Sequence, residues 1–210
     1  GNVYPAVETS SNVTFVTNSV IGSMNDPFIW NAKDLLEQSI NMNRGWNWNS
    51  IYVQPESNAV EDVLESVASV VEIAKSKASY TMYGNNVWRG DLTDINVGKM
   101  YKMKMRSVTA LSVVGEQVDP AAETITVKPG WNWIGYTASF NMSVADAFAD
   151  LNPQDGDVVK SKTDFAMYNS YEWIGTLTTL APGYGYMYYS TANEEKEFTY
   201  PAQSSVQPSQ

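Results

Sequence analysis

The chain has 210 residues, with 13 Lys+Arg against 23 Asp+Glu for a net charge of −10, and aromatics make up 12% of it. It contains neither His nor Cys, which excludes Ser-His-Asp and Cys-His nucleophile systems, zinc sites of His or Cys, haem and iron–sulfur ligation, and disulfides. The negative charge repels phosphates, so nucleic acid is not an expected partner, and no apolar run of about 18 residues occurs to insert in a membrane.

Self-similarity organises the rest of the sequence. Gly45-Trp46-Asn47-Trp48 recurs as Gly130-Trp131-Asn132-Trp133, an offset of 85 residues. Without a gap, the same offset pairs Lys75-Ser76-Lys77 with Lys160-Ser161-Lys162, Trp88-x-Gly90-x-Leu92 with Trp173-x-Gly175-x-Leu177, and Tyr101 with Tyr186. The expected organisation is therefore N-terminal strands over 1–30, a repeat unit over 31–118, a second over 119–203 and a polar tail over 204–210. Residues 1–30 resemble the tail of an earlier copy, because Phe28-Ile29-Trp30 falls on Val113-Val114-Gly115 and then on Phe198-Thr199-Tyr200.

In chain order, each unit reads as a strand, a helix and then several strands. Asn58-x-x-Glu61 and Ser143-x-x-Asp146 look like capped helix starts. Val60, Val63, Leu64, Val67, Val70 and Val71 follow the first start at helical spacing; Val144, Phe148 and Leu151 follow the second, which Asn152-Pro153 stops. Period-two alternation then predicts strands over 158–168, 173–180, 185–190 and 196–200. Lys102, Lys104 and Arg106 alternate with Met103 and Met105, which reads as an edge strand with one wet side. By the offset, Met187 and Tyr189 take the wet positions in the second unit, while Tyr101 and Tyr186 point inward. The expected fold class is α+β: two tandem homologous units, each a small, mostly antiparallel sheet packed with one helix.

The recurring aromatics Trp46, Trp48, Trp88, Trp131, Trp133, Trp173, Tyr101 and Tyr186 read as structural core, since both copies keep them and buried rings contribute most to packing. The alternative for the Trp-Asn-Trp doublets is an exposed strip that stacks on sugar rings. Trp30, Tyr171, Tyr184 and Tyr189 have no aromatic counterpart in the other copy, which makes them the binding candidates for a glycan or a protein surface. Asp155-Gly156-Asp157 lacks the further oxygens of a calcium loop and reads as a turn; no metal, cofactor or catalytic residue is expected.

With Gly130-Trp131-Asn132-Trp133-Ile134-Gly135, Trp173-Ile174-Gly175-x-Leu177, Pro182-Gly183-Tyr184-Gly185-Tyr186-Met187 and Phe198-Thr199-Tyr200-Pro201 in place, the second unit resembles the GWNWIG-type repeat of secreted Bacteroidetes surface proteins over most of its length. The first unit departs at Asn49, Arg89 and Met100. The resemblance implies a non-catalytic extracellular accessory module, used for adhesion or for glycan or protein contact. A carboxylate-based glycoside hydrolase and a purely structural spacer or assembly module are the rival readings.

Overall fold

The structure, a computed structural model, describes residues 34–203. The strands expected over 1–30, with Trp30, and the tail over 204–210 lie outside the described residues. The first half of the chain runs β1 Leu35–Met42, β2 Gly45–Asn49, β3 Val53–Pro55, α1 Val60–Val63, β4 Val71–Lys75, β5 Tyr80–Gly84, β6 Val87–Gly90, β7 Tyr101–Met105 and β8 Thr109–Gln117. The second runs β9 Ile125–Val127, β10 Gly130–Gly135, β11 Met142–Ser143, α2 Val144–Ala147, β12 Val158–Lys160, β13 Phe165–Asn169, β14 Glu172–Gly175, β15 Thr179–Leu180, β16 Gly185–Ser190 and β17 Lys196–Phe198.

Each half builds one antiparallel five-stranded sheet, ordered β2-β7-β4-β5-β6 and β10-β16-β12-β13-β14. Shifting the first order by 85 residues gives the second, so the duplication read in the sequence is also a duplication of topology. Strands β1, β8 and β3 form a three-stranded sheet, while β9 with β17 and β11 with β15 form two-stranded ones. The last strands do not form one meander: β16 returns between β10 and β12, and β17 leaves to pair with β9. The run from Lys102 to Arg106 is likewise no edge strand, because β7 sits between β2 and β4.

The α+β expectation is overturned. Among the described residues 48% are strand and only 6% helical, with α1 and α2 single turns of four residues. Val60, Val63, Leu64, Val67 and Val71 are buried, as their spacing requires, but no continuous helix buries them. After α1 the chain makes a 3-10 turn at Glu65–Val67, and by Val71 it is strand, opposite Met105. Valine and serine dominate residues 66–71, and β-branched side chains and serine both disfavour helix propagation. Capping separates the two starts. Ser143 Oγ accepts from Asp146 N at 3.0 Å, whereas α1 has Ala59 at its N-cap and no side-chain cap there.

Two apolar clusters fill the halves. One runs from Ile40 to Val113 and includes Leu64, Met103 and Met105; the other runs from Ile125 to Tyr200 around Phe148, Tyr136 and Tyr188. No residue belongs to both clusters. Gly90 and Gly175 let the sheets close at β6 and β14: both have positive φ, +151° and +156°, and an added Cβ would lie 2.0 Å from Tyr80 O or 2.2 Å from Phe165 O.

Candidate functional site

The Gly-Trp-Asn-Trp segments determine which way the aromatics face. Asn47 Nδ2 donates to Asn43 O at 2.7 Å and Gly45 O at 3.0 Å, and its Oδ1 accepts from Asn43 N at 3.0 Å. Asn132 repeats this on Lys128 O at 2.7 Å, Gly130 O at 2.9 Å and Lys128 N at 3.0 Å. The asparagine must therefore sit inside, where it satisfies the backbone of the turn that starts the strand. Strand alternation then sends both flanking indoles to the opposite face.

This corrects the core assignment of Trp46, Trp48, Trp131 and Trp133. Trp46 is 39% and Trp131 41% exposed, Trp48 and Trp133 are half-buried, and none of the four belongs to an apolar cluster. Trp88 and Trp173 are half-buried and pack on the cores, against Tyr83 at 5.0 Å and Phe148 at 5.7 Å between ring centres. Tyr101 and Tyr186 are buried, each hydroxyl accepting a backbone amide, from Asn96 at 2.9 Å and Ala181 at 2.8 Å.

On the outer face of the second sheet, one row crosses all five strands: Trp131 opposite Tyr189, Tyr189 opposite Val158, Val158 opposite Met167, and Met167 opposite Ile174. No member carries a charge. Met167 is 42% and Ile174 50% exposed, and the Trp131 and Tyr189 rings meet at 5.2 Å between centres, tilted by 60°. A second row runs Trp133, Met187, Lys160, Phe165, with Phe165 exposed. The equivalent face of the first sheet is basic: Lys104 lies opposite Trp46, Lys102 opposite Trp48 and Arg89 opposite Met82, with Lys104 Nζ 2.9 Å from Glu72 Oε1.

The structure does not gather the four binding candidates. Tyr189 lies in the apolar row. Tyr171, 94% exposed, sits at the tip of the β13–β14 hairpin, beside a groove of about 680 Å³ lined in part by Tyr168, Trp173 and Pro153. Tyr184 is exposed at the junction of the halves, where its backbone bridges Asn49. Trp30 lies outside the described residues. Sequence reasoning missed Val158, Phe165, Met167 and Ile174, which contain no unmatched Trp or Tyr. The signal was the loss of charge between copies: Arg89, Lys102 and Lys104 become Ile174, Met187 and Tyr189.

Three carboxylates of the second half hold structural hydrogen bonds. Asp157 is buried and accepts from Tyr188 OH, Thr191 N and Thr191 Oγ1, each at 2.7 Å, and from Gln154 N at 3.1 Å. Asp155 accepts from Ser170 N at 2.9 Å, and Asp150 from Thr199 N at 3.2 Å. Among the described residues, no three acidic groups are placed to share a metal ion, and no helix is long and apolar enough to cross a membrane. Set against family models, curated proteins and solved structures, the chain matches none.

Proposed function

We propose that the chain is a non-catalytic contact module of an extracellular surface protein, which docks a partner protein on the outer face of β10, β16, β12, β13 and β14. The observation that carries this reading is the uncharged row Trp131, Tyr189, Val158, Met167, Ile174, extended by Phe165. An exposed apolar strip on a chain of net charge −10 is costly to keep wet, and burying it against another apolar surface removes that cost. A protein fits better than a glycan. Sugar sites pair an aromatic platform with hydrogen-bonding groups; Lys160, Ser161, Thr163 and Asp164 flank Trp131, but the rest of the row, Val158, Met167 and Ile174, has no polar side chain. The likeness to the GWNWIG-type repeat supports the extracellular setting.

The test is site-specific photo-crosslinking in the parent protein on its native cell. A photoreactive residue at Ile174 or Met167 is expected to capture one protein, lost when Trp131 is changed to Lys, while the same probe at Arg89 or Met82 captures none. Failure to capture at Ile174 and Met167, or glycan-array binding abolished by Trp131→Ala, overturns the protein reading.

A further inference from the structure

The repeated Lys-Ser-Lys segments have a use that the docking face does not explain. In both, the serine builds the turn: Ser76 Oγ accepts from Ser79 N at 2.9 Å, and Ser161 Oγ from Asp164 N at 2.9 Å. That fixes the preceding lysine at the end of its strand on the outer face. Lys75 is cross-strand partner to Lys102, and Lys160 is cross-strand partner to Met187, the residue equivalent to Lys102. The two outer faces meet at this point. Lys102 Nζ lies 4.2 Å from the ring centre of Trp48 and 4.3 Å from that of Trp133, and 3.7 Å from Met187 Sδ. Lys160 Nζ reaches to 6.0 Å from the same Trp48 ring.

Lys102 thus sits between two indoles, with Lys160 beside the Trp48 ring and Lys75 across the strand pair, close enough for both to act on its charge. Among the described residues, none of the three lysines has a carboxylate at salt-bridge distance; the ion pairs formed are Lys104 with Glu72 and Lys128 with Glu195. The chain has 23 acidic residues, and among the described residues none stands at salt-bridge distance from this cluster. Partial burial, with Lys75 and Lys160 nearby, holds the Lys102 ammonium below the usual lysine range. Cation–π contact with two rings offsets part of that penalty for Lys102, but it does nothing for the repulsion by Lys75 and Lys160.

We propose that this junction is a binding site for an oxyanion, a sulfate or carboxylate group, with Lys75, Lys102 and Lys160 as its ligands and Trp48 and Trp133 as walls that exclude water. An oxyanion there replaces the repulsion of Lys102 by Lys75 and by Lys160 with charge-assisted hydrogen bonds. Because the lysines come from both halves, a bound anion also ties the halves together. The site borders the apolar row, since Lys160 lies opposite Phe165, but it uses none of that row's residues and stands or falls apart from it.

The experiment is an NMR titration of the lysine Nζ and Cε resonances with sodium sulfate, with sodium chloride holding ionic strength constant. Saturable shifts are expected at Lys75, Lys102 and Lys160, with Lys102 titrating at higher pH when sulfate is bound, and none at Lys128. Lys75→Met and Lys160→Met are each expected to weaken binding roughly tenfold or more, the scale of one lost charge-assisted contact. These two variants keep the Trp48–Lys102–Trp133 stack, so their effect does not depend on Lys102→Met folding normally. A sulfated disaccharide that binds tighter than sulfate assigns the anion to a saccharide; equal affinity assigns it to the free ion. Linear, unsaturated shifts of similar size at Lys128, or unchanged affinity in both variants, overturn the proposal.

Discussion

Ser50 and Gly135 stand 85 residues apart at equivalent positions, and each reaches into the other half: Ser50 N donates to Gly183 O at 3.2 Å and Gly135 N to Gly98 O at 3.0 Å. Gly98 and Gly183 are themselves equivalent, as are the bridged pairs Asn49 with Tyr184 and Ile134 with Lys99. The halves therefore meet about a pseudo-two-fold axis, the arrangement of an isologous dimer contained in one chain. Some of the divergence between the copies falls on this axis. Asn49 Nδ2 donates to Gly183 O at 3.2 Å, Ser50 Oγ donates to Tyr184 O at 2.7 Å, and Met100 packs on Gly185. Two of the three departures from the repeat pattern, Asn49 and Met100, thus serve the junction.

Gly135→Ala is expected to break this symmetry. An added Cβ would lie 2.7 Å from Gly98 C and from Lys99 N and O, all backbone, so the halves must move apart. The expected loss is about 2 to 3 kcal/mol, a fall of roughly 4 to 12 °C in Tm for a chain of this size. Calorimetry checks it, with Gly84→Ala as the control because nothing lies within 4 Å of a Cβ there.

Two buried tyrosines should respond oppositely to loss of their hydroxyl. Tyr200 is fully buried and its OH has no hydrogen-bond partner among the described residues, so Tyr200→Phe is expected to be neutral or to stabilise by about 1 kcal/mol. Tyr188 OH donates to Asp157 Oδ2 at 2.7 Å, and Tyr188→Phe leaves a buried carboxylate short of a donor. The expected cost is about 2 kcal/mol. Denaturant midpoints of the two variants distinguish the cases.

The repeat was legible in the sequence because it rests on residues with one role in both copies. Gly90, Gly175, Tyr101 and Tyr186 each have a single geometry that works, and the offset finds them. The direction of the tryptophans was not legible. Hydrophobicity argues that Trp46 and Trp131 face inward, but the three turn hydrogen bonds of each neighbouring asparagine, two donated and one accepted, outweigh it, and those bonds depend on a turn that a linear reading does not show. Helix length failed for a related reason: the valine spacing specified burial correctly, and short turns followed by a strand satisfy the same spacing. The apolar row was invisible because its members are consecutive only across strands, never along the chain.

Tyr171 carries backbone strain that its counterpart does not. Ser170 and Tyr171 occupy a hairpin turn with φ of 52° and 72°, the place held by Asn85 and Asn86 in the first half at 53° and 59°. Left-handed backbone suits asparagine and penalises a bulky aromatic by about 1 kcal/mol. Tyr171→Asn is therefore expected to raise stability by about that amount, read from the thermal midpoint. No gain in stability would mean that the ring's contacts along the neighbouring groove offset the strain.

Alkaline stability follows from six phenols and one amine. Burial raises the ionisation of Tyr52, Tyr101, Tyr136, Tyr186, Tyr188 and Tyr200 above the usual 10, Tyr186 to about 12. Below pH 10 these groups hold their protons in both states, and their contribution to stability is fully present. Above it the unfolded chain releases protons that the folded chain retains, so stability falls with pH, for Tyr186 across the window from 10 to about 12. Lys102 acts in the opposite sense: its lowered value means that the unfolded chain holds a proton the folded chain has lost, and stability rises with pH up to the usual 10.5. Six groups against one give a net fall. Urea midpoints measured from about pH 8 to about pH 11.5 are expected to drop steeply above about pH 10, and Lys102→Met is expected to make the drop begin at lower pH by removing the one opposing group.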